Sequence, residues 1–272
     1  MHRRLHVVPA LALSMLLATA ACGSDDTAST TAASTTPAAP ATTTVPAVSG
    51  SVTVFAAASL TESFDDLQAT LKTSTPGLDV TYSFAGSGAL VTQVQQGAPA
   101  DVIATADTAS MKKLTDAGLV EAPVTFARNK LEILVEPGNP KGITGLSDLS
   151  RTDVTLVLED ETVPAGRYAA QALAAAGVVV DPVSKEADVK AAVAKVTSGE
   201  ADVTIVYVTD VNAAGGRGQG VEIPDAQNVV AEYPIAIVKA TDDHAAAAAF
   251  VDAVVTGRGQ AALRGHGFLA AG

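Results

Sequence analysis

From Val52 onward the chain alternates short β-forming runs with helix-forming segments, and this alternation restricts the folds open to it. Val52–Phe55, Val80–Phe84 and Asp101–Thr105 read as strands, followed by helical segments at Leu60–Thr73, Ala89–Gln96 and Thr108–Ala117. A second set has strands at Leu131–Val135, Val154–Leu158 and Val203–Tyr207, with helices at Gly166–Ala176 and Val189–Ser198. A last strand, Pro234–Val238, precedes helices at Asp243–Val255 and Gly259–Arg264. Strands that alternate with helices predict parallel, doubly wound sheets. Ala127–Lys130 and Ala231–Pro234 read as hinge segments between the sets. The expected fold class is therefore α/β: two doubly wound lobes with a hinged cleft, lobe 1 from 50–128 and 232–272, lobe 2 from 129–231. With 4% aromatic residues and no Trp, the core must be built from Val, Leu, Ile and Ala.

The first 49 residues do not belong to that pattern. Met1-His-Arg-Arg-Leu5 is basic, Val7–Leu17 is apolar but too short to span a bilayer, and Thr19-Ala-Ala-Cys22 follows. This reads as a secretory signal ending in small residues. It also resembles a bacterial lipoprotein signal, with Cys22 as the lipid-bearing residue and Thr19 where that signal prefers Leu. Cys22 is the single cysteine, so no disulfide can form within the chain. Residues 23–49 are almost entirely Thr, Ala, Ser and Pro after Asp25-Asp26, a composition that cannot bury a core and reads as a disordered tether. The net charge of −12 argues against nucleic acid and against an anionic membrane surface as partners of the folded part.

Two strand-to-helix junctions carry an isolated serine. Ser59 closes the run Ala56-Ala-Ala, and Ser87 sits between Gly86 and Gly88. The start of a helix leaves backbone N–H groups without partners and carries about half a positive charge. Such a start binds anions without Lys or Arg, small residues let the anion approach, and a serine hydroxyl adds a donor. Two further helix starts have this character: Thr162-Val-Pro-Ala-Gly-Arg167, with Pro164 in the first turn, and Ala187-Asp-Val-Lys190, with Asp188 as N-cap. Each junction taken alone reads more readily as plain capping; Ser59-Leu-Thr-Glu62 has the capping-box pattern. If Ser59 N–H serves a ligand instead, Glu62 is expected to turn away to solvent.

Several short motifs occur in order: Val52-Thr-Val-Phe-Ala-Ala-Ala-Ser-Leu60, Ser83-Phe-Ala-Gly-Ser-Gly-Ala-Leu90, Gly97-Ala-Pro-Ala-Asp101, Val163-Pro-Ala-Gly166, Glu186-Ala-Asp-Val189, Ile205-Val-Tyr207 and Glu232-Tyr-Pro234. Together they resemble the molybdate-binding proteins of ABC importers, within the type II periplasmic binding proteins, over most of residues 51–270. The resemblance implies a molybdate or tungstate ligand, no cofactor and no direct cation site. It implies an oxyanion held by Ser59 and Ser87 through hydroxyl and backbone N–H, by the N–H groups of Ala165 and Val189, and by the Tyr207 phenol. It also implies an ABC permease with its ATPase as partner, an extracytoplasmic location with a lipid anchor at Cys22, and a monomer. Gly86-Ser-Gly88 departs from the family, which often has more hydroxyl residues there.

Two alternatives follow from the same residues. Another tetrahedral oxyanion, such as sulfate, fits the same kind of helix-start site. A serine hydrolase is the remoter reading: Ala85-Gly-Ser-Gly-Ala89 lacks the outer glycines of a nucleophile elbow. Beyond the signal only His244 and His266 remain as bases, both near the C-terminus. The chain is therefore expected not to be an enzyme.

Overall fold

The computed structural model describes residues 48–272, which form one compact unit. The signal, Cys22 and all of the tether but its last two residues lie outside the described residues. In chain order the elements are β1 (Gly50–Ala57), α1 (Thr61–Ser74), β2 (Leu78–Ala85), α2 (Ser87–Gln95), β3 (Val102–Ala104) and α3 (Thr108–Asp116). Next come β4 (Val124–Val135), β5 (Val157–Glu159), α4 (Pro164–Ala175), β6 (Ser184–Glu186), α5 (Val189–Thr197), β7 (Val203–Tyr207) and α6 (Val208–Ala214). β8 (Gln219–Glu222), β9 (Val230–Ile237), α7 (His244–Val255) and α8 (Gly257–Gly265) complete the chain.

The main sheet runs β2-β1-β3-β9-β4-β7, with β8 also on β4, and β5-β6 form a separate pair. β4 changes partners along its length. Val124–Lys130 pairs with β9, whereas Leu131–Val135 pairs with β7 and β8. One lobe therefore surrounds β2-β1-β3 and the first half of β4. The other surrounds the second half of β4 with β7, β8 and, through a bridge from Leu156 to Val203, β5-β6. The expected hinge segments are not loops; both lie in the continuous β4–β9 ladder.

The expectation of wholly parallel sheets needs correction. β1 pairs parallel with β2 and β3, and β5 with β6, but β9 is antiparallel to β3 and β4, and β4 is antiparallel to β7 and β8. The antiparallel pairs lie where the chain passes between lobes, because a strand returning beside an outgoing one runs against it. Pro234, inside β9, cannot donate to a ladder; β4 accommodates it with an irregularity between Thr125 and Ala127.

Local sequence explains the layers. From the N-cap of α1 onward, Leu60, Phe64, Leu67 and Leu71 recur at helical spacing and are all buried. The Phe64 ring meets Tyr82, Phe126 and Phe250 at 5.6, 6.2 and 5.9 Å. Burying each such side chain contributes about 1.5–3 kcal/mol. Most of the scarce aromatics thus gather beneath α1 and around Tyr233, while Val, Ile, Leu and Ala fill the rest.

Candidate functional site

The two serine junctions and the two expected second-lobe helix starts come together around one cavity. It is small, about 20 Å³, where pockets for organic ligands run to about 300–1,000 Å³. Its walls include Ser59, Ser87, Ala165, Val189 and Tyr207, every site residue expected from the sequence, together with Asp188. Among the described residues, no Lys or Arg lines it.

Ser59 lies in a 3-10 turn, Ala58–Leu60, that leads from β1 into α1. Ser87 is the first residue of α2, with Gly86 as N-cap in extended conformation. α4 opens on Pro164, whose missing N–H costs nothing in a first turn, and α5 opens on Val189 after Asp188. The Asp188 carboxylate accepts from Ala191 N–H at 3.0 Å and so caps its own helix. The first-turn N–H groups of a helix lack partners within it, and Ser87, Ala165 and Val189 at these three starts line the cavity.

The two hydroxyls are held from behind. Ala106 N–H donates to Ser87 Oγ at 3.1 Å, and Ser59 Oγ shares a hydrogen bond of 2.9 Å with the Tyr233 hydroxyl. Ser59 and Ser87 are 4% and 1% exposed. Tyr207 is buried, and among the described residues its hydroxyl makes no hydrogen bond of good geometry, with the Tyr233 side chain beside it. Burial keeps that phenol protonated, with a pKa well above the ordinary tyrosine value.

The flanking glycines explain the departure at Gly86-Ser-Gly88. A Cβ on Gly86 would sit 2.6 Å from Ala187 O and 2.8 Å from a Val163 methyl; one on Gly88 would sit 2.8 Å from Thr162 O. The second lobe packs onto both positions, so only glycine lets the backbones approach there.

Glu62 differs from expectation. Ser59 makes no side-chain cap, and Glu62 makes no bond back to it, so the capping box is absent. The Glu62 carboxylate does not turn to open solvent: it pairs with Lys190 on α5 at 2.7 Å. Lys190 also lies 3.1 Å from Asp210, which is fully buried. Burial lowers the Lys190 pKa, but Asp210 and Glu62 outweigh it and leave the ammonium group more basic than usual. Arg167 on α4 makes a second contact across the lobes, to Asp107, the N-cap of α3. Both ion pairs stand beside the cavity and outside its lining.

Glu159 is buried at the end of β5, 1% exposed, with neither oxygen hydrogen-bonded among the described residues. Burial, with Asp210, Asp188 and Glu186 nearby, pushes its pKa up to about 8. Sequence reasoning missed Tyr233; the only signal was its place in Glu232-Tyr-Pro234, within the ordered motif set.

The profile of the bacterial extracellular solute-binding proteins matches residues 52–269. The chain belongs to that family. Among its relatives, this solute-binding protein is 39% identical over 249 residues to the molybdate-binding protein ModA of Mycobacterium tuberculosis, covering 91% of each chain. Its fold matches the periplasmic molybdate-binding protein of Azotobacter vinelandii with a TM-score of 0.71, at 22% identity, over 80% of this chain and 98% of that one. The sulfate-binding protein SubI of Mycobacterium tuberculosis matches with a TM-score of 0.69, also at 22% identity, over 80% and 86% of the two chains. At that identity the two structures establish the type II fold and leave the ligand open.

Proposed function

We propose that this solute-binding protein captures molybdate, and also tungstate, outside the cytoplasm and hands it to the permease of an ATP-driven importer. The observation that carries the reading is the donor-only cavity. Among the described residues, four helix starts, two serine hydroxyls and one buried phenol line a space of about 20 Å³ with no Lys or Arg. A fully deprotonated tetrahedral dianion accepts hydrogen bonds on every oxygen and satisfies all of these groups. The ligand set is Ser59, Ser87, Ala165, Val189 and Tyr207; the 39% identity to a ModA supports molybdate over sulfate. The protein is a binder rather than an enzyme: neither serine has a histidine beside it, and His244 and His266 pair with Glu121 and Asp66 on the surface.

Hydrogen phosphate would bring a proton that needs an acceptor. Asp188 is the one carboxylate in the lining, and it is engaged as a cap. An unsatisfied buried proton costs about 1–3 kcal/mol. Sulfate is smaller and does not reach donors on both lobes at once. Titration calorimetry should give heat with molybdate and tungstate and little with sulfate or phosphate at equal concentration. Equal affinity for phosphate would overturn the reading.

The lobes run from 50–128 with 232–272 and from 129–231, a division supported by the change of β4 partner after Lys130. The protein acts as a monomer tethered by 23–49 to a lipid on Cys22, as the leader sequence suggests. Among the described residues, no helix is long and apolar enough to cross a membrane. Cys22→Ala should move the protein from the membrane fraction to the medium.

A further inference from the structure

The Tyr233 hydroxyl lies directly behind one of the two proposed serine ligands, at a position that fixes where the serine hydrogen points. It bonds Ser59 Oγ at 2.9 Å across 174 residues of sequence, and the whole Tyr233 side chain is buried. Its ring is clamped edge-on by Phe126, Tyr207 and Phe268, at 6.3, 5.8 and 5.2 Å, and the Asn129 and Tyr207 side chains also come within reach of its hydroxyl.

Ser87 shows what such a contact achieves. Its oxygen accepts from Ala106 N–H at 3.1 Å, and a backbone N–H can only donate. One lone pair of Ser87 is therefore occupied from behind, and the serine hydrogen is left for the cavity. Ser59 has no backbone donor behind it; it has Tyr233. A hydroxyl pair can be oriented either way. If Ser59 donated to Tyr233, its hydrogen would point away from the cavity and a dianion would meet lone pairs.

We infer that Tyr233 is a positioning residue for oxyanion binding: its phenol donates to Ser59 Oγ and so commits the Ser59 hydrogen to the ligand. The inference rests on the reading of the cavity as a molybdate site. Burial holds the Tyr233 pKa above the ordinary tyrosine value, so the donor is not lost at neutral pH.

The test is a double-mutant cycle on molybdate affinity, using the full chain with Tyr233→Phe, Ser59→Ala and both changes. Tyr233→Phe keeps the ring and should weaken molybdate binding about 5- to 15-fold, the loss of one hydrogen-bond orientation. In the Ser59→Ala background the same change should weaken it less than twofold, because there is no hydroxyl left to orient. A ring that served packing alone would cost the same in both backgrounds, and that result, or an unchanged affinity for Tyr233→Phe, would overturn the inference. A wild-type chain that does not bind molybdate defeats the functional reading as well, and is thereby distinguishable. Should Tyr233→Phe not fold, near-ultraviolet difference spectra replace it. The chain has four tyrosines and no Trp. In Tyr207→Phe protein the tyrosine signal induced by molybdate should disappear when Ser59→Ala is added; a signal that persists unchanged would also overturn the inference.

Discussion

Individual side chains in and behind the cavity are chosen for their protonation state as much as for their shape. Tyr207 and Tyr233 are kept as neutral donors by burial. Glu159 is the acid counterpart: with its pKa up to about 8, the buried carboxyl keeps its proton at neutral pH and adds little negative charge behind the α4 start. The consequence for stability has a definite sign. The folded protein binds this proton more tightly than the unfolded chain, so between the unfolded value near 4.5 and about 8 the folded state holds more protons. Stability therefore falls as pH rises through that window. Asp210, also raised by burial, acts in the same direction. Melting temperature of the ligand-free protein should decline from about pH 5 to pH 8, and Glu159→Gln should flatten most of the decline. A slope unchanged by Glu159→Gln would mean that the carboxyl is solvated.

Among the elements, the decisive contacts are those of α2 with the segments before α4 and α5. Gly88 lies in the first turn of α2, where alanine would favour the helix by up to about 1 kcal/mol. Its missing Cβ, however, is the space that Thr162 O occupies across the cleft. Gly88→Ala should thus displace the Thr162 segment, which offsets the helical gain in the ligand-free protein, and weaken molybdate binding about tenfold or more by holding the lobes apart. Fluorescence-detected melting beside calorimetry checks both halves. The Glu62–Lys190 pair belongs to this scale too. Its carboxylate and ammonium groups are 38% and 29% exposed, so the pair itself is worth little. Lys190 matters more as the cation beside the buried Asp210, because removing one partner of a buried pair strands the other.

For the whole molecule, β4 and β9 are shared between lobes, so a ligand that bridges the lobes ties together the parts of one sheet system. Binding to the folded state alone should stabilise it by about 4.1 kcal/mol at a thousandfold excess over Kd. For a chain of this size that is a rise of about 8–16 °C in melting temperature. Molybdate and tungstate should produce it, while phosphate at the same concentration leaves the melt within a degree or two. Cells without this protein should lose molybdate uptake at trace supply; unchanged uptake of labelled molybdate would separate the protein from transport.

The sequence alone determined the parts of this molecule that depend on neighbours along the chain. Apolar residues at helical spacing marked α1, short β-branched runs marked β1, β2 and β7, and Asp188 and Pro164 marked helix starts, because capping and periodicity act within a few residues. The serine junctions were visible for the same reason, and Tyr207 through the family resemblance. Tertiary structure alone decided what lies opposite what. β6 and β8 are too short and polar to read as strands and exist through their partners β5 and β4. The first half of β4 reads as a hinge until β9 pairs with it. Glu62 meets Lys190 across 128 residues and Ser59 meets Tyr233 across 174, distances over which no local propensity operates. The site is of both kinds: each donor is set by its own helix start, but their convergence on one cavity is set by the two strands that carry the chain between lobes.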